Sequence, residues 1–159
     1  MKEKRREFFK KLAAGSAGVA LSSYGVSASA KSYNRIIGAN ERLNVAIAGL
    51  GRRYSAFIDP IKKKDNNANL VYLCDVMSSQ MDKAEENCNK KLGYKPKKEK
   101  DIRKVLDDQD IDAIFIATPD HWHTPGTLMA LKAGKHVYVE KPCSHNMFEN
   151  TLIVEAQKN

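Results

Sequence analysis

Cysteine is scarce: Cys74, Cys88 and Cys143 are the three in 159 residues. They cannot all pair, and none stands at a CxxC or other metal spacing, so a disulfide framework and a cysteine-rich zinc site are excluded. Histidine is almost as thin, and His121-x-His123 beside Asp120 is too little for a metal site; no metal is expected. Tryptophan occurs once, and no aromatic stripe interleaves the lysine-dense stretch from Lys90 to Lys104. With Glu99 and Asp101 mixed in, that stretch reads as a solvated face and not a nucleic-acid patch. Long apolar runs are missing too. The longest uncharged stretch, Leu12 to Ala30, holds five serines and three glycines and makes a poor bilayer span. What is present is 42% hydrophobic and 29% charged residues, enough for the core of one ordinary domain.

The net charge of +8 is unevenly placed. Residues 1–11 carry Lys2, Lys4, Arg5, Arg6, Lys10 and Lys11 against Glu3 and Glu7, half of the total. A basic head, an uncharged middle and the small-residue end Ala28-Ser29-Ala30 form the layout of a cleavable export signal. Arg5-Arg6-Glu7-Phe8-Phe9-Lys10 resembles the twin-arginine motif, with Phe9 where leucine is usual. An uncleaved anchor is the weaker alternative. The expectation is a signal over residues 1–30, a linker over 31–42, and a periplasmic or otherwise exported protein delivered by the twin-arginine machinery. That route carries folded cargo and suits a protein that acquires a cofactor first.

From Leu43 onward, apolar runs alternate with helical patterns. Leu43 to Gly49, Leu70 to Cys74, Ile111 to Ala117 and Lys135 to Glu140 read as buried strands, and a short strand is expected between Tyr94 and Lys100. Helices are expected after Gly51 to about Lys64, kinked or shortened by Pro60. Others are expected over Ser79 to Lys91 capped by Ser78 or Ser79, and over Asp101 to Leu106. Two more run from a Thr124 cap to Gly134, and from near Met147 to the end of the chain. The alternation predicts an α/β fold, a Rossmann-type doubly wound parallel sheet over residues 43–159. A sixth strand and a second α/β domain are not in view, and the chain reads as a piece of a longer protein.

Gly49-Leu50-Gly51-Arg52-Arg53-Tyr54 sits where a strand turns into a helix. Gly49 permits the tight turn, and Gly51 lets the backbone approach a pyrophosphate at a helix N-terminus. Asp75, at the end of the next strand, can accept both ribose hydroxyls and would repel a 2′-phosphate, which favours NAD over NADP. Tyr54 replaces the third glycine, so either Ala56 serves for close packing or the helix sits further out. Arg52 or Arg53 is a candidate pyrophosphate contact.

Two later strands end in Thr118-Pro119-Asp120-His121-Trp122-His123 and in Glu140-Lys141-Pro142, on the same carboxyl edge as the glycine turn. Together with Ala-Gly-Leu-Gly, Leu-Cys-Asp-Val and Val-Glu-Lys-Pro, these clusters resemble the Gfo/Idh/MocA (glucose–fructose oxidoreductase / inositol dehydrogenase) family. The resemblance implies an NAD-dependent oxidoreductase acting on a sugar or polyol, and a homo-oligomer at full length. It also implies site residues: Lys141 contacts both cofactor and reacting hydroxyl as a buried ammonium, and Glu140 binds the nicotinamide ribose. Thr118 and Pro119 line the cofactor, His123 shapes the nicotinamide site, and Pro142 follows a cis bond that turns Lys141 inward. The family's catalytic histidine lies in the second domain. An NAD-dependent glycosidase of the same fold is the alternative, disfavoured by the intact Glu140-Lys141-Pro142. A non-catalytic nucleotide- or sugar-binding protein is another.

Overall fold

The computed structural model describes residues 42–158; the expected export signal and nearly all of the expected linker lie outside the described residues. Five strands run β1 (Leu43–Ala48), β2 (Ala68–Cys74), β3 (Lys97–Glu99), β4 (Ala113–Ile116) and β5 (His136–Val139). Every pairing is parallel, in the order β3-β2-β1-β4-β5. Five helices connect and follow them: α1 (Ser55–Lys62), α2 (Ser78–Leu92), α3 (Ile102–Leu106), α4 (His123–Lys132) and α5 (Met147–Gln157). The strand order reverses between β1 and β4, and in an open parallel sheet ligands bind beyond the strand ends at such a switch.

Alternation along β1 explains the layering. Val45 and Ile47 face a core closed by Phe57, Ile58 and Ile61 of α1 and by Met81, Ala84 and Cys88 of α2. Ala46 and Ala48 face the opposite core, with Val105 and Leu106 of α3, Ala130 of α4, and Ile114 and Ile116 of β4. Burial of the larger of these side chains contributes roughly 1.5–3 kcal/mol each, and the two cores lie on opposite faces of β1. In β2 the alternation breaks. Val45 pairs with Leu70 but Ala46 with Tyr72, so Val71 is an extra residue. Leu70 and Leu73 consequently share one core although three apart, while Val71 and Tyr72 both pack on the other.

The helix ends differ from the expectations, each for a local reason. Neither Ser78 nor Ser79 caps α2: Met77 is the N-cap residue, and Asp75 Oδ1 takes the Met77 N–H at 2.8 Å. Thr124 lies inside α4, whose N-cap residue is Trp122, and its hydroxyl is used elsewhere. The helix after the glycine turn begins only at Ser55, contains Pro60 and stops two residues later at Lys62. Ala56 is exposed, so it does not replace the third glycine. Tyr54 instead packs against the first core, and its hydroxyl accepts from Asn87 Nδ2 at 3.2 Å. The last helix runs to Gln157, with Lys158 as its cap residue. By contrast, Asp101 caps α3 by accepting the Arg103 N–H, and the hidden strand is there as β3.

Candidate functional site

The carboxyl edge of the sheet gathers most of the expected site residues. Gly49 has φ +88°, and a Cβ on it would lie 2.4 Å from Thr118 N and 2.5 Å from the Ala117 carbonyl. Glycine is therefore required for two reasons: the left-handed backbone, and the close passage of the chain leaving β4. Gly51 is different. No protein atom lies within 4 Å of where its Cβ would be, and its φ is not in the left-handed region. Nothing in this chain's packing demands glycine there; the close approach of a ligand would. The N–H groups of Gly51, Arg52 and Arg53 donate to no described residue, and all three residues are exposed, as a phosphate cradle requires.

Asp75 closes the turn from β2. Its Oδ2 accepts the Leu50 N–H at 2.7 Å and its Oδ1 that of Met77. Each carboxylate oxygen retains a further lone pair for a hydroxyl. The role of Leu50, whose amide fixes this carboxylate, escaped sequence reasoning because a backbone donor carries no residue signature.

The far side of the edge is held by side chains. Glu140, only 6% exposed, accepts from Arg53 Nε at 2.6 Å and from the Lys141 N–H at 3.3 Å. The guanidinium keeps the Glu140 carboxyl below the usual carboxylate range, and burial opposes it. His123 is 2% exposed, with Nδ1 2.6 Å from the Pro142 carbonyl and Nε2 2.9 Å from the Thr118 carbonyl. Both ring nitrogens thus face backbone carbonyls, and a neutral imidazole donates to one of the two, so the ring bridges the β4 exit and the loop after β5. The neighbouring Thr124 hydroxyl donates to Glu149 at 2.8 Å, and Glu149 also accepts the His145 N–H at 2.7 Å, which holds its carboxyl below the ordinary range. Asn146 caps α5 by accepting the Glu149 N–H. The Asn146-x-x-Glu149 spacing before an apolar run is a capping signal that sequence reasoning left unused.

The Lys141–Pro142 peptide is cis, as expected. Lys141 itself is exposed in this chain, where a buried ammonium is expected, and its N–H donates to Glu140 Oε2. Arg52 and Pro119 are also exposed. The Arg52 carbonyl accepts from Ser55 Oγ and that of Pro119 from the Trp122 N–H. Thr118 Oγ1 is buried without a hydrogen-bond partner. A buried hydroxyl left unpaired is costly, and together with the open Gly51 it fits a site that a polar cofactor completes.

The family model described as an oxidoreductase family with an NAD-binding Rossmann fold matches residues 43–159. An α-N-acetylgalactosaminidase of Shewanella oneidensis is 28% identical over 98% of this chain and 38% of its own length. A glycosyl hydrolase family 109 protein of Saccharopolyspora erythraea is 30% identical over 76% of this chain and 27% of its own. Among solved structures, a myo-inositol 2-dehydrogenase from Lactobacillus plantarum is 30% identical, with a TM-score of 0.64 over 74% of this chain and 33% of that one. The chain therefore spans well under half the length of these relatives.

Proposed function

Because the chain belongs to the Gfo/Idh/MocA oxidoreductase family, with its NAD-binding Rossmann fold, we propose that it is the cofactor-binding part of an exported enzyme. That enzyme would move hydride between a sugar or polyol carbinol and NAD. The carrying observation is the convergence on one sheet edge of an unobstructed Gly51, the Asp75 carboxylate and the Glu140-Lys141-Pro142 turn. Bound nicotinamide supplies the hydride chemistry; the chain binds and orients. The free N–H groups of the glycine turn receive the phosphates. Asp75 accepts ribose hydroxyls and repels a 2′-phosphate, which supports NAD over NADP. Glu140 accepts from the second ribose. The Lys141 ammonium, exposed toward incoming substrate, orients the hydroxyl and offsets the negative charge that grows on its oxygen as hydride leaves carbon. Residues 1–30 act as the twin-arginine signal.

A second reading is an NAD-dependent glycosidase, in which transient oxidation of the sugar permits elimination of the glycosidic bond. It is favoured by the α-N-acetylgalactosaminidase relative, whose similarity runs along 98% of the chain. One assay separates the readings. The intact protein is offered free sugars and polyols, and separately a chromogenic α-N-acetylgalactosaminide. Net NADH from a free sugar supports the oxidoreductase. Aglycone release without net NADH supports the glycosidase. Neither net NADH nor aglycone release from any of the compounds would overturn both. Export is tested by fusing residues 1–30 to a folded reporter: Arg5→Lys with Arg6→Lys should abolish its translocation.

A further inference from the structure

Arg53 lies in the turn between β1 and α1, 87 residues before the glutamate it holds. Sequence reasoning made it a candidate for the pyrophosphate, as a cation next to Gly51. The geometry spends it otherwise. Its Nε donates at 2.6 Å to Glu140 Oε1, although the arginine side chain is 62% exposed and the glutamate's only 8%. The other carboxylate oxygen accepts the Lys141 N–H. One carboxylate is thus gripped from two sides, by an arginine of the glycine turn and by the main chain of the lysine proposed to meet substrate. A buried carboxylate without a cation pays heavily for its lost hydration, and no other cation forms an ion pair with Glu140 among the described residues. Since Nε carries that bond, the guanidinium plane is committed to the β5 side of the edge.

We propose that Arg53 is a positioning residue that acts through Glu140: it sets the carboxylate that receives the nicotinamide-side ribose, and with it the Lys141 main chain, instead of binding phosphate. The inference rests on the assignment of Glu140 to that ribose. It makes the glycine turn serve both ends of the cofactor, with backbone donors at the phosphates and one side chain reaching the far ribose.

The test uses three probes titrated into the intact protein: NADH, ADP-ribose, which keeps the second ribose, and ADP, which lacks it. Arg53→Ala is expected to weaken NADH and ADP-ribose by about tenfold and to leave ADP within about twofold. Its NADH affinity should fall further as pH drops through the mildly acidic range, because an unpaired buried carboxyl takes up a proton more readily. Arg53→Lys should recover most of the loss. Arg53→Ala combined with Glu140→Gln should bind NADH no more weakly than Glu140→Gln alone. Equal weakening of ADP and NADH by Arg53→Ala would make the arginine a phosphate ligand and overturn the proposal; so would additive losses in the double variant. A Glu140→Gln variant with unchanged NADH affinity would instead overturn the assignment of Glu140. Arg53→Gln, which keeps the bulk of this exposed side chain, takes the place of Arg53→Ala if the latter melts early, with the same expected pattern.

Discussion

The two halves of the sheet edge are assembled by different means. On the β1–β2 side, the contacts run between a carboxylate and backbone amides. Asp75 holds Leu50 and Met77, and Gly49 lets the main chain leaving β4 pass at contact distance. On the β4–β5 side, side chains clip loops together: Arg53 to Glu140, His123 to two carbonyls, and Thr124 to Glu149. The first half depends on conformations that few residues adopt, and the second on side chains far apart in the chain. The first should therefore be intolerant of added atoms, and the second of removed ones.

Glycine substitutions give the largest contrast. Gly49→Ala meets both a left-handed backbone and the Thr118 main chain, and is expected to destabilise by about 3 kcal/mol or more in denaturant melts. Gly51→Ala, with open space around its Cβ, should change stability by no more than about 0.5 kcal/mol while weakening NADH at least about tenfold. Equal stability losses would erase the distinction between a glycine required by the fold and one required by the ligand.

His123→Ala probes the clipped half by removal. It removes the buried ring that bridges two carbonyls and donates to one of them, and should cost about 2–3 kcal/mol, with faster thiol labelling of the nearby exposed Cys143. Cys74 and Cys88 should stay unlabelled, their thiols pushed by burial to about 12 and about 11. Asp75→Asn is milder. One oxygen survives to accept an amide while the new NH2 faces the other, for about 1.5–2 kcal/mol; discrimination against NADPH should relax in the same variant.

The smallest effect concerns pH. Glu140 is held below its ordinary range by Arg53, so the stability it contributes is fully present above the ordinary carboxylate value. It is lost as pH falls through the depressed folded value. Wild type should accordingly lose stability in strong acid more steeply than Glu140→Gln. Superimposable acid profiles would remove Arg53–Glu140 from the stability of the clipped half.

The backbone-built half was also the more legible in sequence. Short apolar runs ending in glycine or aspartate, such as Leu43 to Gly49 and Leu70 to Asp75, announce strand, turn and a carboxylate beside the turn, because burial, φ and charge are encoded within a few residues. Even the three-residue β3 could be located. The clipped half was legible as motifs and not as contacts. Nothing local ties Arg53 to Glu140, or shows that both His123 nitrogens face carbonyls. The expected burial of Lys141 came from family likeness, and the ammonium is exposed. Helix caps failed for a related reason: Asp75 and Glu149 reach turns where a nearer serine or threonine looked sufficient.

The irregular pairing of β2 bears on the acidic residue proposed to favour NAD. Counted against β1, the strand carries one residue too many, and the surplus is absorbed between the Val45–Leu70 and Ala46–Tyr72 pairs. Beyond that point Ala48 sits opposite Cys74, and the next residue out, Asp75, arrives at the glycine turn. Had the strands marched in step from Val45, the count would overrun by one and deliver a thiol to that place. The middle of β2 lies away from the glycine turn, yet it works as a ruler that decides which side chain arrives there.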